Sequence, residues 1–172
     1  MKANTFKISS IHWSIITVIT TIVYYSIFSH DFQLRWDDQW QLINTMTSNG
    51  ITLDNLQTIT TTIYNGQYSP ANQLYYTLLY LCFGYNSSAF HIGNLLFHIL
   101  NAFLIYTLSY TLLKETFSRK KTLFISFLSA LLFAVHPVQV ETVCWISASK
   151  IVLSTFFYLL ALIAYTQYIR SS

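Results

Sequence analysis

Ser88-Ala89-Phe90-His91-Ile92-Gly93-Asn94-Leu95-Leu96-Phe97-His98-Ile99-Leu100-Asn101-Ala102-Phe103-Leu104-Ile105-Tyr106-Thr107-Leu108-Ser109-Tyr110-Thr111-Leu112-Leu113 contains no Asp, Glu, Lys or Arg and is long enough to cross a bilayer as a helix. Its surroundings agree. Of 172 residues, 53% are hydrophobic and only 9% charged, against about 25% charged in a typical soluble protein. A soluble fold of this size needs more charge to cover its surface. Aromatic residues make up 17%, with 4 Gly and 2 Pro, so the chain is neither disordered nor of low complexity. Three further apolar runs are read as spans: Ile8 to Ser29, Thr122 to Val135 before His136-Pro137, and Ile151 to Tyr168 before Arg170. The third is short, and Lys120 and Lys121 extend it by snorkelling. The first lacks the small-residue cleavage site of a signal peptide and reads as an anchor. The expected fold is all-α: a polytopic membrane helix bundle of about four spans, forming one domain over residues 1–172.

Between the first two spans, residues 30–87 form a large polar loop rich in Asp, Asn, Gln and Thr. Within it Trp36, Trp40 and Ile43 recur at helical spacing, and Leu53 to Ile63 suits a short amphipathic helix at the interface. Ala71 to Phe83 is apolar but too short to span, which predicts an interfacial or re-entrant helix ended by Gly84. Orientation follows the basic residues. With the N-terminus cytoplasmic, Lys2, Lys7, Lys114, Arg119, Lys120, Lys121 and Arg170 lie inside, and only Arg35 and Lys150 outside. Asp31, Asp37, Asp38, Asp54 and Glu141 are then outward and only Glu115 inward. The positive charge reflects membrane orientation, not nucleic-acid binding. No repeat of the solenoid or inverted-transporter kind is visible.

The outward acids are the candidates for chemistry. Asp37 and Asp38 are adjacent, flanked by Trp36 and Trp40. Paired carboxylates at a membrane surface suit general-base work, because one held close to another and out of bulk water takes up a proton more readily. They could also ligate a divalent cation or simply cap a surface helix. Glu141 follows His136 by five residues on the same side of the membrane; two such ligands make weak metal evidence, and His136 equally suits a helix end. On the second span His91, Asn94, His98 and Asn101 recur every three or four residues and so share one stripe. Interhelical hydrogen bonding explains His98 and Asn101, whereas His91, nearest the outer face, is equally open to a site role. Arg35 and Lys150 sit at the depth of lipid phosphates, as phosphate ligands or as ordinary interfacial cations. Cys82 and Cys144 show no metal or redox spacing; they allow at most one disulfide, and the plainer reading is two buried thiols.

As an ordered set the motifs are specific: Trp36-Asp37-Asp38, then Tyr68-Ser69-Pro70, then Phe83-Gly84-Tyr85-Asn86 with Phe90 to His98. Leu132 to Glu141 and Val143 to Ser154 complete it. From Asp31 to Tyr168 the chain resembles the membrane region of tetratricopeptide-repeat O-mannosyltransferase-like proteins of the GT-C superfamily. The resemblance implies a polyprenyl-phosphate-linked sugar donor and inverting transfer, often to a protein Ser or Thr hydroxyl. It implies a catalytic base at Asp37 or Asp38, Glu141 orienting the acceptor or supporting a metal, and a bacterial inner membrane with periplasmic active loops. Arg35, His91, His136 and Lys150 become candidate donor or lipid-phosphate ligands. Where relatives read Ser-Glu-Arg-Lys, this chain has Ser147-Ala148-Ser149-Lys150, which removes a charged pair from that part of the site.

These readings support the N-terminal part of a GT-C glycosyltransferase, acting within a longer or split enzyme. The rival is a noncatalytic membrane scaffold or partner subunit that kept the fold. A small transporter is disfavoured, because no span carries a carboxylate or is broken by paired Gly or Pro.

Overall fold

The computed structural model describes residues 2–171, with side chains over 8–171. In chain order the helices are α1 (Lys2–Val23), α2 (Asp38–Gln41), α3 (Thr45–Ser48), α4 (Leu53–Thr61), α5 (Pro70–Phe83), α6 (Ser87–Leu113), α7 (Arg119–Val135), α8 (Gln139–Cys144) and α9 (Ser149–Ser171). Tight 3-10 turns at Tyr25–Ser29 and Ile146–Ala148 follow α1 and precede α9. No β-strand forms among the described residues, so the fold is all-α.

Local chemistry sets the boundaries. Asn86, Thr52 and Asn44 each accept a backbone N–H in the first turn of α6, α4 and α3. Pro70 opens α5, where its missing N–H costs nothing, and Gly84 closes it at φ 60, a left-handed conformation that side-chain-bearing residues rarely adopt. Asn65 and Gly66 both take positive φ, 46 and 75, as a two-residue turn of the I′ kind requires, and Tyr64 and Gln67 pair across it. That turn sets the position of Gln67.

Two segments, Ser87–Leu113 and Ile146–Ser171, are long and apolar enough to cross a membrane. The apolar part of α1, Ile8–Val23, is shorter, and α7 has 17 residues. The first expected span is divided: α1 stops at Val23, and the chain tightens so that Tyr24 and Ile27 pack against Leu95, Ile99 and Val143. The expected interfacial helices correspond to α4 and α5.

Helix α6 is the centre, with α7 and α9 packed along it and α1 against α6 and α7. Ile16, Ala102, Tyr106, Leu123, Ala130 and Ala134 form one core, the alanines allowing close helix approach. Two polar side chains of α6 brace the bundle: the His98 ring bonds the Ala134 carbonyl at 2.9 Å, and Asn101 donates to the Val152 carbonyl at 2.9 Å. Leu42, Tyr76, Phe90 and Ile146 make another core, joining the 30–87 loop to α6 and to the turn before α9.

Candidate functional site

Asp38 is 1% exposed. One carboxylate oxygen accepts the Gln33 N–H at 2.7 Å; the other accepts the Ser147 N–H at 3.1 Å and the Ser147 hydroxyl. Three donors hold the carboxylate, with no ion pair to it among the described residues, which is how such a group tolerates burial. Asp38 thus ties the 30–87 loop to the turn before α9, across 109 positions of sequence.

Asp37 behaves differently. It occupies the N-cap position of α2 but makes no capping bond. Its two oxygens instead accept from Trp40 Nε1 and Gln41 Nε2, each at 3.2 Å, and the residue is half-buried. Trp40 and Gln41, with Gln67, Ser69, Asn72 and Gln73, line a narrow polar cavity of about 20 Å³, room for roughly one water. Lys150 Nζ donates to Gln67 Oε1 at 2.9 Å, which brings one outward cation to this cavity's wall.

A hydrogen-bonded cluster backs it. Tyr76 donates to the Ile146 carbonyl at 2.9 Å, and Ser149 Oγ lies 2.7 Å from the Tyr76 hydroxyl and 2.6 Å from Asn72 Oδ1. Burial pushes the Tyr76 phenol up to about 12, with the nearby Asp38 charge adding to the rise and the Ser149 and Asn72 bonds opposing it. It therefore remains a neutral donor at physiological pH. Ser147 and Ser149, on the segment that lacks the expected charged pair, serve as the loop's anchors.

A second cleft, of about 290 Å³, is lined by His30, Gln33, Trp36, Glu141, Cys144 and Trp145. Trp36 and Trp145 meet edge to face with centroids 6.0 Å apart. Glu141 is exposed in the first turn of α8. Gln33, which holds Asp38, lines this cleft, whereas Trp40 and Gln41, which hold Asp37, line the first cavity.

The other sequence-predicted residues are less concentrated. Arg35 is exposed and makes no ion pair among the described residues. His136 is exposed, and its Nδ1 accepts the Val138 N–H at 3.2 Å, so the ring serves the turn between α7 and α8. His91 is 2% exposed, faces the His30 ring at 6.3 Å between centroids and has the His30 backbone as its polar neighbour. On the polar stripe of α6, Asn94 accepts from Tyr75 and reaches the Trp145 carbonyl, and His98 and Asn101 brace the helices. Among the described residues no three His, Cys, Asp or Glu side chains converge as a metal site requires. Cys82 and Cys144 are free thiols.

Sequence reading did not single out His30, Gln33, Gln67 or Trp145, nor Ser147 as the partner of Asp38. Only Gln67 had a local signal, the Asn65-Gly66 dipeptide just before it.

This site, an acidic pair whose partners line a small cavity and an aromatic cleft, can be set beside known proteins. The chain is 34% identical over 100 residues to the human (Homo sapiens) protein O-mannosyl-transferase TMTC1 and 36% identical over 98 residues to that of the mouse, Mus musculus. The similarity is to protein O-mannosyl-transferases. It covers 58% and 57% of this chain, which spans about a tenth of those proteins, 11% and 10%. No family model matches the chain, and no solved structure does. Both relatives are mammalian, so they lend nothing to the expectation of a bacterial membrane.

Proposed function

We propose that this chain is the N-terminal part of a GT-C glycosyltransferase that moves a sugar from a polyprenyl-phosphate donor to a hydroxyl acceptor, such as a protein Ser or Thr, on the outward face of its membrane. In this reading α1, α6, α7 and α9 cross the bilayer, the N-terminus is cytoplasmic, and the 30–87 loop and α8 face outward, toward the periplasm in a bacterial host. One observation carries it. The two adjacent carboxylates are divided in use: Asp38 is consumed by the tie to Ser147, and Asp37 is left half-buried, held only by Trp40 and Gln41 of the cavity wall.

Asp37 is the base. It takes the proton of the acceptor hydroxyl as that oxygen bonds the anomeric carbon from one face; the bond from that carbon to the phosphate oxygen breaks on the other, and the polyprenyl phosphate departs with the electron pair. Trp40 and Gln41 aim the carboxylate. Lys150, steered by Gln67, and the unpaired Arg35 offset the charge developing on the phosphate. Glu141 orients the acceptor. His91 and His136 complete the donor-side shell, and any divalent cation would draw on the outward carboxylates together with the donor phosphate.

The test is glycan mass spectrometry of envelope or secretory proteins from cells carrying the full gene with Asp37→Asn. Transferred hexose should fall at least a hundredfold, in line with the usual worth of a general base. An unchanged glycan profile sinks the assignment and leaves the noncatalytic scaffold.

A further inference from the structure

We propose that the aromatic cleft beside Glu141 is a binding subsite for one neutral pyranose ring. The proposal rests on the glycosyltransferase reading for its biological meaning, but its evidence is the chemistry of the lining. Trp36 is 67% exposed at the cleft and meets Trp145 edge to face. Large aromatic surface kept in water at a concave site suits a ligand with an apolar face, and a pyranose presents one in its axial C–H groups. The same ring carries hydroxyls around its edge. The polar groups here match them: the Glu141 carboxylate accepts from hydroxyls, the Gln33 amide does both, and the His30 ring stands at the rim. Trp145 Nε1, a donor only, lines the cleft and is buried without an acceptor. Groups left unsatisfied in this way are costly unless a ligand or water completes them.

Charge and size narrow the occupant. No Lys or Arg lines the cleft and a carboxylate does, so a phosphate is repelled where a neutral polyol is accepted. At about 290 Å³ the cleft is at the small end of ligand sites, which fits one ring and not a chain of them. The cation Lys150 is held instead by Gln67, which lines the other cavity.

The experiment uses the full chain in lipid nanodiscs prepared without glycoside detergents, which would compete. Saturation-transfer NMR and tryptophan fluorescence follow titration with methyl α-mannopyranoside, methyl α-glucopyranoside and inorganic phosphate. At least one glycoside should bind saturably, phosphate should not displace it, and Trp36→Ala and Glu141→Gln should each weaken binding tenfold or more with the thermal melt unchanged. Both residues are exposed, so neither change should unfold the protein. A glycoside displaced by a short-chain prenyl-phosphate sugar marks the ring as the donor's; one that binds alongside it marks the acceptor's. No saturable binding, equal affinity in both variants, or displacement by phosphate overturns the proposal. Asp37→Asn separates it from the transfer reading: glycoside binding should persist while transfer is lost. Transfer dependent on Asp37 without glycoside binding removes the subsite alone, and glycoside binding with transfer indifferent to Asp37 removes the base alone.

Discussion

Two neighbouring aspartates differ in how their charge is held, and this makes them separable by mutation. Asp38→Asn replaces an acceptor of three hydrogen bonds by an amide that must turn an N–H toward one of those donors. Hydrogen bonds to a buried charge are worth about 1.5–3 kcal/mol each, so the variant should lose at least about that much stability, seen as a lower melting temperature in detergent. Asp37→Asn leaves only two long bonds to weaken and should melt within about 0.5 kcal/mol of the parent. Equal losses in the two variants would contradict the division of labour proposed for them. Cys144 offers a pH-dependent check. Burial raises its thiol above the ordinary range, so at pH 7 the reactive thiolate is scarcer than in a free thiol. Maleimide should therefore label exposed Cys82 first, and Cys144 should catch up only as the pH rises past the usual thiol range. Mass spectrometry of timed samples reads both.

Among the elements, α5 and α6 depend on one missing side chain. A Cβ at Gly93 would collide with the Tyr75 hydroxyl and lie 3.2 Å from Leu79 Cδ1, and Tyr75 is itself bonded to Asn94. Gly93→Ala should cost about 1–3 kcal/mol of stability through overpacking, measurable by thermal unfolding, even though alanine favours the isolated helix. Part of the helix pattern was legible in the residues: the helix expected over Ala71 to Phe83, ended by Gly84, forms as α5. The polar stripe on α6 was also legible as a bracing face, and His98 and Asn101 do brace. What local pattern did not show is the break at Tyr24. Nothing in the Tyr24-to-Ser29 run forbids a helix; the turn arises because Tyr24 and Ile27 are drawn against α6 and α8.

For the whole molecule the testable quantity is topology. Two segments have the length and apolarity to cross, and the proposal adds α1 and α7. Reporter fusions after Ser118 should report the cytoplasmic side and fusions after Gly66 or Pro137 the outward side. The same side for Ser118 and Pro137 would mean that α7 does not cross, and would separate Glu141 from the acidic loop.

The sequence by itself determined the helical class, the apolar segments and the asymmetry of charge, because hydropathy, caps and basic residues act locally or simply add along the chain. It also brought Asp37, Asp38 and Glu141 forward as outward acids. Only the tertiary structure decided which acid is spent. Asp38 meets Ser147 across 109 positions, and Lys150 meets Gln67 across 83. Two adjacent carboxylates are chemically identical as sequence. They differ once folding delivers buried donors to one and leaves the other half-buried with only its near neighbours Trp40 and Gln41, and that delivery depends on distant segments packing together.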